Sequence, residues 1–233
     1  MDVGDGPLSL LIGNAEPDVE VALGALLGAG MTFYDIGANV GYYTLIGARL
    51  VGPTGKVVAF EPAPRNYTAL THNVELNGLG NVLLRSEALG DADTTASFAL
   101  NADPTQAKLA SLATADGRTV GCVDVTVRRL DGLVAAQKLP LPDVIKMDIE
   151  GGEVKALIGA RETLRRGRPG LVIEVHGTER EVLSFLREQR YRAYWPMQRR
   201  ELGALHVIAV PEERTDLGEK VAGFSAPVDA ASL

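Results

Sequence analysis

Acidic and histidine side chains follow several apolar stretches of the 233-residue sequence. Asp35, Glu61 and Asp148 each stand at the end of such a stretch, and a later stretch ends with Glu174 and His176. Carboxylates and imidazoles can accept a proton, ligate a metal ion or hold a cationic ligand. If the apolar stretches are strands of one sheet, we expect these side chains to meet at its carboxyl edge, where open α/β sheets bind ligands.

The segment 32–44 has the pattern strand, glycine turn, helix. Apolar β-forming residues surround Asp35, the turn contains Gly37 and Gly41, and helical spacing begins at Tyr42. Such a turn aims the free N–H groups of a helix start at a ligand above the strand. Asp35 would repel a pyrophosphate, but it suits a cationic ligand such as the amino-acid end of S-adenosylmethionine. The alternative is an ordinary tight turn in which Asp35 caps the helix.

The next two strands supply groups expected around a nucleoside. Residues 57–60 are apolar throughout, as in a parallel strand buried on both faces, and Glu61 follows them. A carboxylate about twenty residues after the glycine turn is placed to accept hydrogen bonds from both ribose hydroxyls. Glu87 and Ala88 follow the third predicted strand, within reach of an adenine ring if the first two strands hold the ribose.

Three side chains near the later strand ends are candidates for catalysis. His176 has an ordinary pKa suited to a general base, or it is a structural histidine at a helix start. Glu174 shares a strand face with His176 and is costly to bury unpaired. Asp148 can orient an acceptor, bind the amino group of a methionine or ligate a metal. With Glu150 these residues form a cluster suited to Mg²⁺ or Mn²⁺, unless Glu150 only caps the following helix.

Composition restricts the class of protein. Hydrophobic residues make up 46% of the chain and the net charge is −7, which predicts a folded protein without nucleic acid as main partner. The single cysteine, Cys122, excludes an internal disulfide, and its alternating context predicts a small core residue. The acidic start lacks the positive region of a signal peptide, and no apolar run is long enough to span a membrane. We therefore expect a cytoplasmic protein with no membrane partner, compatible with a homodimer.

The pattern of elements predicts three segments. Residues 1–30 form a leader with a short strand and a helix, residues 31–211 form an α/β domain, and residues 212–233 form a loose tail. Within the domain, two alternating stretches predict an antiparallel insertion at about 92–128, which can close over an acceptor.

Four ordered motifs resemble the FkbM family of S-adenosylmethionine-dependent methyltransferases. The motifs are Asp35-Ile-Gly-Ala-Asn-Val-Gly-Tyr-Tyr, Phe60-Glu61-Pro62, Arg129-Leu130-Asp131-Gly132-Leu133 and Ile145-Lys146-Met147-Asp148-Ile149-Glu150-Gly151. The resemblance runs from about residue 32 to residue 210. It implies the class I methyltransferase fold: an α/β, Rossmann-like, three-layer αβα sandwich around a mostly parallel seven-stranded sheet with a C-terminal antiparallel hairpin.

The resemblance also implies S-adenosylmethionine as the cofactor and a hydroxyl of a small natural product or sugar as the methyl acceptor. With the residue-based assignments above, the expected cofactor contacts are Asp35, Gly37, Ala38, Asn39, Gly41, Tyr42, Glu61, Pro62, Glu87, Ala88 and Asp148. Two alternatives stay open: a protein that binds S-adenosylmethionine without catalysis, and a methyltransferase acting on a nitrogen or carboxylate. An NAD-dependent dehydrogenase would need the fingerprint G-x-G-x-x-G, which the glycine turn lacks.

Overall fold

The computed structural model describes residues 16–101, 108–109, 119–196 and 205–228. Its strands are β1 (Thr32–Ile36), β2 (Lys56–Phe60), β3 (Val82–Arg85), β4 (Ala88–Leu89), β5 (Thr94–Asn101), β6 (Lys108–Leu109), β7 (Thr119–Arg128), β8 (Val144–Met147), β9 (Gly170–Val175), β10 (Tyr191–Pro196), β11 (Leu205–Pro211) and β12 (Ser225–Pro227). Its helices are α1 (Pro17–Leu26), α2 (Tyr42–Val51), α3 (Pro64–Leu76), α4 (Leu130–Gln137), α5 (Glu153–Gly159), α6 (Arg161–Gly167), α7 (Glu179–Glu188) and α8 (Thr215–Ala222).

The main sheet has eight strands in the order β12-β10-β11-β9-β8-β1-β2-β3. The run from β9 to β3 is parallel, whereas β11 pairs antiparallel with both β9 and β10. The predicted fold class, a mostly parallel α/β sheet with antiparallel strands at its C-terminal end, is confirmed. The sheet changes direction of winding between β1 and β8, so the carboxyl ends of these strands form the switch point at which such sheets bind ligands.

Helices cover both faces of the main sheet because successive strand residues point to opposite sides. Tyr34 of β1 belongs to a core cluster with apolar residues of α4 to α7. Phe33 belongs to a cluster on the other face with residues of α1, α2 and α8. A third cluster joins Leu70 of α3 to Leu45 of α2. Among the described residues, no helix is both long enough and apolar enough to cross a bilayer.

Two sequence predictions about the C-terminal end need correction. The main sheet has eight strands rather than seven, because β12 pairs antiparallel with β10. The tail predicted to be loose instead forms α8 and β12 within residues 212–228. Leu217 and Val221, one helical turn apart, are buried in the same cluster as Leu23 of α1, and this pair alone was too weak a pattern to predict a helix. The leader strand predicted near residues 8–12 lies outside the described residues.

A smaller sheet of order β4-β7-β5-β6 stands beside the main sheet. β5 and β7 pair antiparallel, as their alternating sequences predict. The residues predicted to form the tip of the insertion, 102–107 and 110–118, lie outside the described part. Cys122 is exposed, contrary to the prediction of a core residue, because Val125 and Val127 of β7 occupy the buried face.

The end of α5 packs against the backbone that follows β4 of the small sheet. A substitution at this contact tests how the two sheets are joined. A Cβ atom at Gly159 would lie 2.0 Å from the carbonyl oxygen of Gly90. We expect Gly159→Ala to lower the free energy of unfolding by about 1–3 kcal/mol, measured by urea denaturation, because backbone must move to admit the methyl group. Gly24→Ala in α1 is the matched control: no atom lies within 4 Å of its added Cβ, so stability should be unchanged or higher. Equal unfolding midpoints for Gly159→Ala and the wild type would contradict this packing.

Candidate active site

A cavity of about 360 Å³ opens at the carboxyl edge of the main sheet. Its walls are the residues that follow β1, β2 and β8, together with residues of β4, β5 and β7 from the smaller sheet. The cavity has the size range and position of small-molecule sites in open α/β folds. The small sheet therefore forms one wall of the site.

Most predicted cofactor contacts line this cavity. They are Gly37, Asn39, Glu61, Pro62, Glu87, Ala88 and Asp148. The others, Asp35, Ala38, Gly41 and Tyr42, are buried and do not line the cavity. Tyr42 instead donates its hydroxyl proton to Glu20 of α1 at 2.6 Å.

Glu61 is 5% exposed. Its carboxylate connects the backbone of the glycine turn to the backbone that follows β2. One oxygen accepts the N–H of Asn39 and the other accepts the N–H of Ala63, both at 2.8 Å. Burial raises the pKa of Glu61 to about 7, although these two N–H donors oppose the shift. Glu61 lines the cavity, and each carboxylate oxygen can accept one further hydrogen bond, as binding of two ribose hydroxyls would require.

The glycine turn approaches β8 so closely that no side chain fits at position 37. Gly37 has φ of 78°, and a Cβ atom there would lie 1.8 Å from the carbonyl oxygen of Asp148. The N–H groups of Gly37 and Ala38 both bond to the carbonyl of Phe60, at 3.0 and 2.9 Å. The turn is thus tied to the ends of both neighbouring strands, and its main chain is open to the cavity.

Asp35 lies below the turn instead of facing a ligand. Its side chain is fully buried because it shares a strand face with Phe33, which points to the α2 side of the sheet. One carboxylate oxygen accepts the Thr44 hydroxyl proton at 2.6 Å, and the other has no hydrogen-bond partner among the described residues. Burial raises the pKa of Asp35, although the nearby Lys146 ammonium opposes the shift.

Lys146 is the buried cation of the site, and the sequence analysis missed it. Its Nζ lies 3.5 Å from Asp148 Oδ2 and 3.9 Å from Asp35 Oδ1, and it donates to the carbonyl of Gly37 at 3.4 Å. The ring of Tyr43 lies 5.0 Å away as a cation–π partner. Burial alone would lower the pKa of Lys146, but the surrounding carboxylates outweigh it and raise the pKa. The only sequence signal was a lysine inside an otherwise apolar strand.

Asp148, Glu174 and His176 come together as predicted, with donor atoms within 4.8 Å of one another. His176 Nδ1 lies 3.0 Å from Glu153 Oε1, and its Nε2 lies 3.4 Å from Glu174 Oε1. Burial would lower the pKa of His176, but Glu153 and Glu174 outweigh it and raise the pKa to about 10. Burial would raise the pKa of Glu174, but the interactions with His176 and His206 outweigh it and lower the pKa. At neutral pH His176 is therefore an imidazolium, which donates hydrogen bonds and is a poor proton acceptor.

Of these three residues, only Asp148 lines the cavity. Glu150 lines the cavity as well. Burial raises the pKa of Asp148 to about 7, against the lowering effect of Lys146. Glu150 has a left-handed backbone (φ of 55°), and its Oε2 lies 3.9 Å from His176 Nε2. The alternative that Glu150 only caps the following helix is not supported, because the N-cap of α5 is Gly152 and has no side-chain cap bond. The sequence therefore identified the cluster, while the structure places His176 and Glu174 behind Asp148.

The leader contributes acids to this region that the sequence analysis did not single out. Glu16 Oε2 accepts the hydroxyl proton of Tyr43 at 2.6 Å. Asp18 Oδ2 lies 2.6 Å from Nδ1 of His206, which stands on β11. Burial would lower the pKa of His206, but Asp18 and Glu174 raise it to about 10. The start of α1 therefore covers the part of the sheet edge beside the acidic cluster.

Comparison with known proteins agrees with the site and fold. The family profile described as "Methyltransferase FkbM domain" matches residues 35–193. The hexuronic acid methyltransferase AglP of Haloferax volcanii is 28% identical over 143 residues, which are 61% of this chain and 55% of that protein. The 31-O-demethyl-FK506 methyltransferase FkbM of Streptomyces tacrolimicus is 28% identical over 192 residues, 70% of this chain and 74% of that protein. The chain thus spans little more than half the length of AglP.

A solved structure of a methyltransferase FkbM from Methylobacillus flagellatus KT superposes with a TM-score of 0.55 and 19% identity. The superposition covers 77% of this chain and 43% of that one, and at this identity it supports the fold. The family profile covers more than half of the chain, and it includes the glycine turn, Glu61, Asp148 and Glu174. The resemblance carried by the four sequence motifs is confirmed: this protein belongs to the FkbM methyltransferase family.

Proposed function

We propose that the protein is an S-adenosylmethionine-dependent methyltransferase that methylates a hydroxyl group of a small natural product or sugar. The observation that carries the proposal is the cavity at the switch point, with Glu61 at one end and Asp148 at the other. The names of two relatives support the acceptor class, because one is a 31-O-demethyl-FK506 methyltransferase and the other a hexuronic acid methyltransferase.

We infer that the β1–β2 half of the cavity binds the nucleoside. Glu61 is held by two backbone N–H groups, so its carboxylate is fixed in position to accept both ribose hydroxyls. Gly37 and Asn39 of the glycine turn line the cavity beside it. Glu87, which is ion-paired with Arg85, and Ala88 line the same cavity, which supports their assignment to the adenine. A nucleoside oriented in this way directs its amino-acid end toward β8, where Asp148 and Glu150 can receive a cationic group.

When bound, S-adenosylmethionine supplies an electrophilic methyl group on a sulfonium. The chain must then align the acceptor hydroxyl with that methyl group and take up the hydroxyl proton as the new O–CH₃ bond forms. We assign the proton to Asp148, because it lines the cavity and its raised pKa of about 7 lies near the ordinary operating pH. Lys146 and the His176–Glu174 pair hold Asp148 from behind and act as positioning residues.

The magnesium site predicted from Asp148, Glu150, Glu174 and His176 does not fit the donor set. Mg²⁺ prefers a near-octahedral set of oxygen ligands, whereas this cluster includes the imidazole of His176. The Lys146 ammonium, 3.5 Å from Asp148, already supplies positive charge at that point. We therefore derive no step of the reaction through Mg²⁺.

The experiment that tests the function is a screen of hydroxylated sugars and natural-product scaffolds with isotopically labelled methyl donor. We expect label transfer to form a methyl ether, which survives mild base. A base-labile product would indicate a carboxylate acceptor, and a methylated amine would indicate a nitrogen acceptor. Tight donor binding without turnover on any acceptor would support the non-catalytic alternative.

Replacement of Glu61 tests the ribose contact. Glu61→Gln removes the negative charge and places an amide donor against one of two backbone N–H groups. We expect S-adenosylmethionine to bind about 10- to 150-fold more weakly, from the loss of about 1.5–3 kcal/mol of charged hydrogen bonding, measured by calorimetry. Glu75→Gln, on the exposed face of α3, should leave affinity unchanged. Wild-type affinity in Glu61→Gln would reject the assignment.

The raised pKa of Glu61 predicts pH-dependent donor binding. Because its pKa is about 7, the carboxylate is mostly protonated at pH 6 and mostly ionised at pH 8. Protonation removes one hydrogen-bond acceptor, so affinity should fall by up to about tenfold as the pH is lowered across this interval. Calorimetric titrations at several pH values should show a slope in the wild type and a flatter profile in Glu61→Gln. If donor affinity depends on pH in the same way in the wild type and in Glu61→Gln, a group other than Glu61 is responsible for the pH dependence.

Replacement of Asp148 separates catalysis from donor binding. Asp148→Asn keeps the shape of the side chain but cannot accept the hydroxyl proton. With any acceptor found in the screen, we expect kcat to fall by about 10²–10⁴-fold, measured at saturating donor so that any weakening of donor binding is kept apart from the loss of catalysis. Asp91→Asn, another acid of the cavity wall but an exposed one, is the control for loss of charge alone. An unchanged kcat in Asp148→Asn would remove it from proton transfer.

A further inference from the structure

A second group of ligand-type atoms lies behind the cavity, where the start of α1 meets β9 and β11. His206 stands directly opposite Glu174 in the antiparallel pairing of these strands, and Glu16 approaches from the leader. One donor atom from each residue lies within 4.8 Å of the others. His206 Nε2 lies 3.7 Å from Glu174 Oε2 and 3.9 Å from Glu16 Oε1.

The remaining atom of each side chain is held by another partner. Glu16 Oε2 accepts from the Tyr43 hydroxyl, and Glu174 Oε1 faces His176. His206 Nδ1 pairs with Asp18 at 2.6 Å. These contacts direct the other three atoms, Glu16 Oε1, Glu174 Oε2 and His206 Nε2, toward one another.

The His206 side chain is 11% exposed, and its Nε2 atom is buried without a hydrogen-bond partner among the described residues. The carboxylates around His206 raise its pKa and so favour a proton on this nitrogen, which a bound metal ion would have to displace. The separations of 3.7 and 3.9 Å are too long for hydrogen bonds, but ligand atoms about 2.1 Å from a common ion stand about 3.0–4.2 Å apart. The unpartnered nitrogen is thus spaced from both carboxylates as a shared cation requires.

We propose that Glu16, Glu174 and His206 bind one divalent transition-metal ion of the Zn²⁺ or Mn²⁺ type. One imidazole and two carboxylates are a donor set that such ions accept, with further positions left for water. Asp18 on Nδ1 of His206 is the outer carboxylate that orients metal-binding histidines. This inference goes beyond methyl transfer and does not depend on it.

The charge distribution distinguishes this site from the neighbouring Asp148 cluster. Lys146 supplies positive charge next to Asp148 and Asp35. In the part of the chain that the structure describes, no lysine or arginine nitrogen lies within 4.0 Å of Glu16 or Glu174. A bound ion would neutralise these two carboxylates and would connect the leader to β9 and β11.

The test is metal binding to chelator-treated full-length chain. Mn²⁺ is followed by electron paramagnetic resonance, and Zn²⁺ by competition with a chromophoric chelator. We expect saturable binding of one ion per chain, with affinity lowered at least tenfold in His206→Gln and in Glu16→Gln. His72→Gln, a histidine exposed on α3, is the matched control and should bind as the wild type does. The ion should raise the Tm of the wild type and of His72→Gln, but not that of His206→Gln.

Three results would overturn the proposal. They are the absence of saturable binding at millimolar Mn²⁺ or Zn²⁺, wild-type affinity in His206→Gln, and loss of binding in His176→Gln alone, which would assign the ion to the Asp148 cluster. Circular dichroism of the same samples reports whether each variant is folded. If His206→Gln does not fold, Asp18→Asn retains all three ligands and should still weaken binding about 10- to 100-fold. Unchanged binding in Asp18→Asn would then reject the site.

Discussion

The buried ammonium of Lys146 is the interaction on which the arrangement of the site depends. It lies between Asp35 of β1 and Asp148 after β8, and it also bonds to the carbonyl of Gly37. Removing a lysine and two carboxylates from water is costly, so these charges persist only because they compensate one another. Without the cation, two buried carboxylates and a carbonyl would be left facing one another across the switch point. The ammonium therefore holds the glycine turn and the end of β8 in one fixed relation.

The two halves of the cavity, which lie on either side of β1 in the sheet, position their acidic residues in different ways. On the β2 side, Glu61 is positioned by backbone N–H groups, whose places are set by the glycine turn. On the β8 side, Asp148 is positioned by charged side chains that come from β9 and from the helix after β8. The first half is built from main chain and suits a ligand common to a whole family. The second half is built from side chains, which can vary with the acceptor.

The fold and the residues that line the β2 side of the cavity could be predicted from sequence because their signals are local. An apolar run followed by Glu61, and a glycine turn between a strand and a helix, each lie within a few neighbouring residues. The direction of Asp35 could not be predicted, because strand periodicity shows which residues share a face and does not show which face the ligand occupies. Lys146 resembles an ordinary strand lysine until the carboxylates around it are known.

The second histidine illustrates the same limit over a longer distance. His206 meets Glu174 only through the register of two antiparallel strands, and it meets Asp18 only after the leader has folded across the sheet edge. Neither of these two contacts produces a recognisable spacing of residues in the sequence. Clusters formed from residues so far apart in the chain become visible only in three dimensions.

The contact between Gly37 and the carbonyl of Asp148 has a consequence for the geometry of attack. A methyl group at position 37 would overlap that oxygen, so any larger residue must push the glycine turn and the end of β8 apart. Displacements of about 1 Å between reacting groups can slow a reaction by about a hundredfold. The absence of a side chain at Gly37 therefore sets the distance between the glycine turn and the end of β8, across which the proposed methyl transfer would take place.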